Sequence, residues 1–329
     1  MAFWRGMAGR LSLIVTRRLP ASVEARMVER FDAELNHGAQ GFTRERLADA
    51  MARCDILASS VADRIDAALI EGAGPRLRLI ANFGVGVDNI DLEAARARGI
   101  AVTNTPGVLT EDTADLVLAL ILMTMRRLGR GERALRAGQW RGWGPTDQLG
   151  ASLTGKALGI VGMGRIGRAA ALRAKACGMA IHYHNRRPLA PEDERALGAR
   201  FWPDLDAMIA HVDVLSVNAP YAPETHHLID ARRIALMQPH AVLINAARGA
   251  LVEEEALIDA LETGRIAGAG LDVYPREPEV DPRLVALETV VLLPHLGSAT
   301  DETRTAMGEK VLANAIAFAE GKELPDRVV

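Results

Sequence analysis

The chain of 329 residues is expected to be an α/β protein of two domains, each built on a parallel sheet. Short apolar runs alternate with helical stretches along its whole length, the pattern of repeated strand–helix units. A glycine turn of the kind that cradles phosphates opens only at Gly162, so the material before it must form a domain of its own. The length suffices for two cores, and 49% apolar with 25% charged residues is an ordinary globular composition.

The elements follow in order. "LSLIV", Leu11 to Val15, reads as a first strand; it is too short for a signal peptide's apolar region or a membrane span, and two arginines follow it. A helix is expected from Ser22 to Phe31. "CDILASS", "LRLIANF" and "IAVTNT" are further strands, with a helix from Leu92 to Arg98. Apolar positions at helical spacing predict one long helix from Asp112 to Gly129. The segment "AGQWRGWGPTDQLGAS" reads as a loop or arm. Six strands come next: "ALGIVG", "AIHYH", "VDVLSVN", "AVLINAA", "GAGLDVY" and "VVLLPHLG", close to the doubly wound sheet of a dinucleotide domain. A last helix, Asp301 to Glu320, is not needed by that sheet and is expected to return to the first domain. The domain limits are therefore placed at 1–104 plus 298–329, and at 105–297.

Composition excludes several classes. A formal net charge of −3 gives no global attraction to nucleic acid or to acidic membranes. The longest apolar stretch, "LVLALILMTM", is well short of a membrane span. Two cysteines, Cys54 and Cys177, without CxxC spacing, exclude a disulfide scaffold or a cysteine zinc site and point to the cytoplasm. His226 with His227, and His182 with His184, lack acidic or cysteine partners, so no metal is expected.

Polar residues recur at the ends of the later strands: Asn218 and Pro220, Arg248, Asp272 and then Glu277, and His295. Any one could be a helix cap or turn residue. Jointly they argue for a site, because ligands of open α/β sheets bind beyond the carboxyl ends of the strands. In "VGMGRIG", Gly162 permits a tight turn, Gly164 lets the backbone approach a pyrophosphate, and Gly167 lets helix pack on strand. Such loops usually carry an acidic residue about 20 positions on, where it holds the ribose 2′-hydroxyl. Here no acidic residue stands between Arg168 and Pro191, and "HNRRP" supplies Asn185, Arg186 and Arg187 instead. Guanidinium pairs with phosphate in a forked, charge-assisted way, which favours NADP(H), with NAD(H) not excluded. A solvated basic turn is the plain alternative.

"NFGVGVDNID", "NTPGVLTEDTADLVLALIL", "VGMGRIG", "NAARGALVEEEAL", "GLDVYPREP" and "LLPHLGSAT" stand together in an order that resembles the D-2-hydroxyacid dehydrogenase family, above all its glyoxylate/hydroxypyruvate reductases. The resemblance covers essentially the whole chain. It implies two Rossmann-like or flavodoxin-like domains with a cleft between them, the first a substrate domain, and a homodimer. It implies reduction of a small 2-keto acid to the 2-hydroxy acid, glyoxylate to glycolate or hydroxypyruvate to D-glycerate. His295 would be the general acid, since imidazole titrates near neutrality, with Glu277 favouring its protonated form. Arg248 would bind the substrate carboxylate, joined by the backbone amides of Val85 and Gly86. Trp143 matches a tryptophan that in this family reaches into the neighbouring subunit's pocket, although a packing role at a dimer interface explains it nearly as well. The matched cofactor contacts are Thr113, Gly162, Gly164, Arg165, Ile166, Gly167, Asn185, Arg186, Arg187, Ala219, Pro220, Thr225, Ala246, Asp272, His295 and Gly297.

Rival readings are another dehydrogenase of the same family, acting on 3-phosphoglycerate or a bulkier keto acid, and a nucleotide-sensing corepressor. The first is weakened because the chain ends soon after the last helix, the second because no extra tail is present. Formate is not expected as a substrate, since formate dehydrogenases, which resemble this pattern, carry an amide where Glu277 stands.

Overall fold

All strand pairings within the two sheets are parallel, so every strand must be covered on both faces by helices. The structure, a computed structural model, describes residues 10–329. The described chain divides into two compact units, one ending at Leu109 and resuming at Thr300–Val329, the other Thr110–Ala299. The divisions fall a few residues beyond 104 and 297.

The first unit carries β1 (Ser12–Val15), β2 (Asp32–Glu34), β3 (Ile56–Ser60), β4 (Leu79–Phe83) and β5 (Ala101–Thr103), ordered β2-β1-β3-β4-β5. That is the flavodoxin-like order. The central strands β3 and β4 are buried at every position. Leu57 and Ile80 join Met51 and Ile70 on one face, while Ile56 and Leu79 join Met27 and Val311 on the other. The helix Asp301–Ala319 supplies Val311, so the chain's last helix does return to this unit. Gly308 lets it approach closely: a Cβ there would lie 2.9 Å from Val23 Cγ2. Edge strand β2, sequence "DAE", has no apolar run and was not legible as a strand.

The second unit carries β6 (Ala157–Val161), β7 (Ala180–His184), β8 (Ala199–Phe201), β9 (Val214–Val217), β10 (Val242–Asn245), β11 (Gly268–Leu271) and β12 (Val290–Leu292). Their order, β12-β11-β10-β9-β6-β7-β8, is the Rossmann order with a switch point between β6 and β9. Seven strands stand where six were expected; β8 is a three-residue edge added beside β7.

The long helix expected from Asp112 to Gly129 is two helices, Thr110–Met125 and Leu128–Arg136. Arg127 between them is left-handed, with φ 53°. The returning arm causes the stop: Ala151 N donates to Met125 O at 2.8 Å, capping the first helix from outside. Helical periodicity runs through the break, so the sequence hides it. No helix among the described residues is long and apolar enough to cross a membrane. Burial pushes the Cys54 thiol up to about 12, leaving it unreactive.

At the β7–β8 edge the Trp202 indole Nε1 donates to His182 Nδ1 at 3.0 Å, and the Trp202 carbonyl meets His184 Nδ1 at 2.9 Å. His211 sits 5.0 Å from the His182 ring, and Arg200 lies over Trp202. Burial first, then His211 and Arg200, hold His182 below the ordinary histidine range. The unfolded chain therefore takes up this proton at a higher pH than the folded one. His182 contributes stability above its unfolded pKa that is lost as pH falls through that value and toward the folded one. Chemical denaturation from pH 8 down to 5.5 should show stability falling with acid. His182→Gln, which keeps a carbonyl acceptor for the indole, should flatten part of that fall; identical slopes would rule this contribution out.

Candidate active site

The glycine turn between β6 and the helix Arg165–Ala176 is built by sterics. Gly162 has φ 98°, and a Cβ there would lie 2.7 Å from Ala219 N. Its amide donates to His184 O at 3.0 Å, which seats the turn on β7. At Gly167 a Cβ would meet Gly162 O at 2.4 Å, so helix and turn touch backbone to backbone. Gly164 differs: a Cβ there meets nothing within 4 Å. No side chain caps this helix, and the amides of Arg165 and Ile166 have no acceptor among the described residues. Open space in front of free helix-start amides suits a pyrophosphate.

Beyond β7, Asn185 Oδ1 accepts from Met163 N at 2.7 Å. That bond anchors Asn185 to the glycine turn and leaves the amide NH₂ to face a ribose. Arg186 and Arg187 are exposed and make no hydrogen bond or ion pair with the described residues. Ala219 and Pro220 follow β9; Thr225 Oγ1 accepts from Ala222 N at 2.8 Å, closing the next turn. Ala246 directly follows β10.

Arg248, Glu277 and His295 follow the carboxyl ends of β10, β11 and β12. His295 Nδ1 lies 2.8 Å from Glu277 Oε2, and Glu277 Oε1 accepts from Tyr274 N at 3.0 Å. Burial pushes the Glu277 carboxyl up, but the His295 hydrogen bond and charge, the Tyr274 amide and the Arg248 charge outweigh it and hold it below the usual carboxylate range. Asn245 Nδ2 donates to Arg248 O at 2.8 Å, and a Cβ at Gly249 would fall 2.0 Å from the Tyr274 carbonyl carbon. The Arg248 turn therefore presses directly on the backbone that leads to Glu277.

His295 is left-handed, φ 55°, a costly conformation for a non-glycine residue. Asp272 holds it there. Its main-chain oxygen accepts from His295 N at 2.9 Å, and its carboxylate accepts from Leu296 N at 2.7 Å and Gly297 N at 2.9 Å. Burial raises the pKa of this carboxyl. Thr113 Oγ1 donates to Gly297 O at 2.8 Å, completing the lock. The sequence marked Thr113 and Gly297 only as cofactor contacts and Asp272 as a strand-end polar residue besides; each also shapes the turn that carries His295.

In the first unit, Asn104 Nδ2 and Asn82 Nδ2 bind the carbonyls of Val85 and Gly86, at 2.8 Å and 2.9 Å. The amides of Val85 and Gly86 have no acceptor among the described residues, so the turn presents two donors. Trp143 is 86% exposed, in the arm. The His226 and His227 rings stack on each other at 3.9 Å.

Residues 118–297 match the family model described as the D-isomer specific 2-hydroxyacid dehydrogenase, NAD binding domain. The chain is 45% identical over 322 residues to a glyoxylate reductase of Thermococcus litoralis, covering 96% of each. The crystal structure of a glyoxylate reductase from Paecilomyes thermophila superposes with a TM-score of 0.86 at 34% identity, covering 98% of this chain and 99% of that one. An NADPH-dependent glyoxylate/hydroxypyruvate reductase from Sinorhizobium meliloti, solved with NADP and malonate, gives a TM-score of 0.85 at 38% identity and 97% coverage of each. The chain belongs to the D-2-hydroxyacid dehydrogenase family.

This D-2-hydroxyacid dehydrogenase is an NAD(P)-dependent enzyme, and the glycine turn described above fits a nicotinamide dinucleotide. The asparagines at 82, 104 and 245 escaped sequence reasoning as site builders; their only signal was an amide side chain at or just beyond a strand's carboxyl end. The two inner glycines separate fold from function. Gly162→Ala should lower the melting temperature, since the Ala219 backbone must move. Gly164→Ala should leave it near wild type while weakening NAD(P)H binding by at least about tenfold, because a methyl would occupy the pyrophosphate's approach. Calorimetric titration and thermal melts check both; normal cofactor binding by Gly164→Ala would place the pyrophosphate elsewhere.

Proposed function

We propose that the enzyme is an NADPH-preferring glyoxylate/hydroxypyruvate reductase, in which the first unit is the substrate domain and the second the cofactor domain. The observation that carries the reading is the His295–Glu277 pair with the Arg248 charge beside it, at the sheet edge that also bears the dinucleotide turn. A bound reduced nicotinamide supplies the hydride to the keto carbon.

The protein's part is binding and proton delivery. Glu277 occupies His295 Nδ1, so the opposite ring nitrogen, Nε2, carries the proton that goes to the keto oxygen. Arg248 offers a forked cation to the substrate carboxylate, and the free amides of Val85 and Gly86 offer two further donors. Thr113, Asp272 and Gly297 fix the His295 turn at the nicotinamide end. Ala219, Pro220, Thr225 and Ala246 line the path of the dinucleotide, Gly162, Gly164, Arg165, Ile166 and Gly167 its pyrophosphate, and Asn185, Arg186 and Arg187 its ribose phosphate. The names of the relatives support glyoxylate and hydroxypyruvate as substrates, and the NADP-bound relative supports the cofactor. The exposed Trp143 suits a homodimer in which it enters the partner's pocket, and the cysteine usage suits the cytoplasm.

His295→Ala should lose about 10²–10⁴-fold in kcat with cofactor affinity kept, the usual worth of general acid catalysis. Glu277→Gln should lower kcat, because a neutral amide no longer holds His295 Nδ1 through a charge-assisted bond. The lowered carboxyl pKa of Glu277 means this support persists into mild acid and is lost only as pH falls through that depressed value. Arg248→Lys should raise KM and lower kcat together, since an ammonium cannot reproduce the planar fork. Steady-state pH profiles on glyoxylate decide all three; wild-type turnover by His295→Ala would overturn the assignment.

The cofactor choice is tested by kcat/KM for NADPH and NADH at saturating glyoxylate. Asn185→Asp with Arg186→Ser and Arg187→Ala should turn the preference toward NADH, the wild type favouring NADPH by at least about 10²-fold at low salt. Equal wild-type efficiencies would make the arginines ordinary surface charges.

A further inference from the structure

A buried phenol stands directly behind the turn that bears Arg186 and Arg187. Tyr183, the fourth residue of β7, is fully buried, its ring 5.3 Å from Phe201 of β8. Its hydroxyl accepts from Leu189 N at 2.8 Å and donates to Glu194 Oε1 at 2.6 Å. Leu189 is the first residue after "NRRP", and Glu194 lies in the short helix Pro191–Leu197 that follows. One oxygen thus ties the far end of the arginine turn both to the strand it left and to the helix it enters. The helix has a second fastening: Arg168 Nη1, from the helix that starts at the glycine turn, meets Asp193 Oδ2 at 2.7 Å.

The chemistry of the tie is specific. The phenol oxygen accepts from the Leu189 amide and donates to a carboxylate at once, which the phenylalanine ring of equal size cannot do. Burial, and then the Glu194 hydrogen bond, push the hydroxyl up to about 12, so it stays protonated and keeps both bonds throughout the working pH range. The arginine side chains are exposed and make no hydrogen bond or ion pair with the described residues, so the backbone of this turn sets where their guanidiniums start. A loose turn would spread two flexible cations over many positions and dilute their effect on a phosphate.

We propose that Tyr183 is a positioning residue for cofactor choice: it holds the residue 186–189 turn so that Arg186 and Arg187 meet the 2′-phosphate of NADP(H). The inference rests on the NADPH reading above and adds to it a buried determinant of selectivity outside the contact residues. It also predicts a coupling. Tyr183 acts only through the arginines, so its loss matters only while they are present.

The test is a double-mutant cycle on kcat/KM for NADPH and NADH at saturating glyoxylate, with thermal melts on every variant. Tyr183→Phe keeps the buried ring and removes the hydroxyl. It removes two hydrogen bonds and should lower the NADPH/NADH ratio by about three- to tenfold, through a higher KM for NADPH with NADH kinetics unchanged. In the Arg186→Ser, Arg187→Ala background the same change should leave the ratio where it is. Glu194→Ala, on the half-exposed helix face, should lower the ratio in the same direction and serves if Tyr183→Phe folds poorly. A wild-type ratio in both Tyr183→Phe and Glu194→Ala, or equal losses with both cofactors, overturns the proposal. If the arginine variant still loses NADPH preference in that case, the cofactor reading survives. A wild type without preference overturns both.

Discussion

One buried carboxylate fixes the geometry on which the site depends. Asp272 binds the three successive amides of His295, Leu296 and Gly297 through its main-chain and side-chain oxygens. A left-handed histidine costs of order 1–3 kcal/mol and persists only where its surroundings dictate it. Here they do: the strand β11 places Asp272, Thr113 closes on Gly297 O, and His295 is delivered to Glu277 at 2.8 Å. Without that lock the imidazole would sample many positions, and the Glu277 pair would have to order it unaided.

Turns at strand ends repeat one device in each unit separately. An amide side chain at or just past a strand's carboxyl end captures a turn carbonyl, and the turn's donors then face outward. Asn82 and Asn104 do this for Gly86 and Val85, and Asn245 does it for Arg248. Glycine completes the device where two backbones must touch, as Gly249 does against Tyr274 and Gly162 against Ala219. Rigid strands carry the turns, and the turns carry the donors. Parallel sheets suit this arrangement because all their strands end on the same edge.

Charge is used sparingly and in two ways. Several arginines of the second unit are ion-paired at the surface, as Arg173 is with Glu111 and Asp115, and such pairs contribute little to stability. Arg186 and Arg187 have no hydrogen-bond or ion-pair partner among the described residues, which fits anion binding better than structural support. Behind them the hydrogen bonds are neutral or half-buried, from Tyr183 to Leu189 and Glu194, and these survive where exposed ion pairs are screened by salt.

The sequence alone determined the fold class, the strands that are apolar runs, the return of the last helix, and the glycine turn followed by arginines. Each is a local pattern, readable because burial on both faces demands continuous apolar residues and a phosphate turn demands glycine. It also pointed to Arg248, Glu277 and His295, whose spacing along the chain resembles a known family order. Tertiary structure decided what local pattern cannot express. β2 and β8 are strands because neighbours offer free edges to "DAE" and "ARF". The helix at Arg127 stops because Ala151 arrives from the arm to take Met125 O. Asn185 accepts from Met163 N, and Tyr183, in the sequence merely one letter of the strand "AIHYH", reaches Leu189 and Glu194. A hydrogen bond depends on where two segments meet in space, and the amino-acid order near either one does not contain that information.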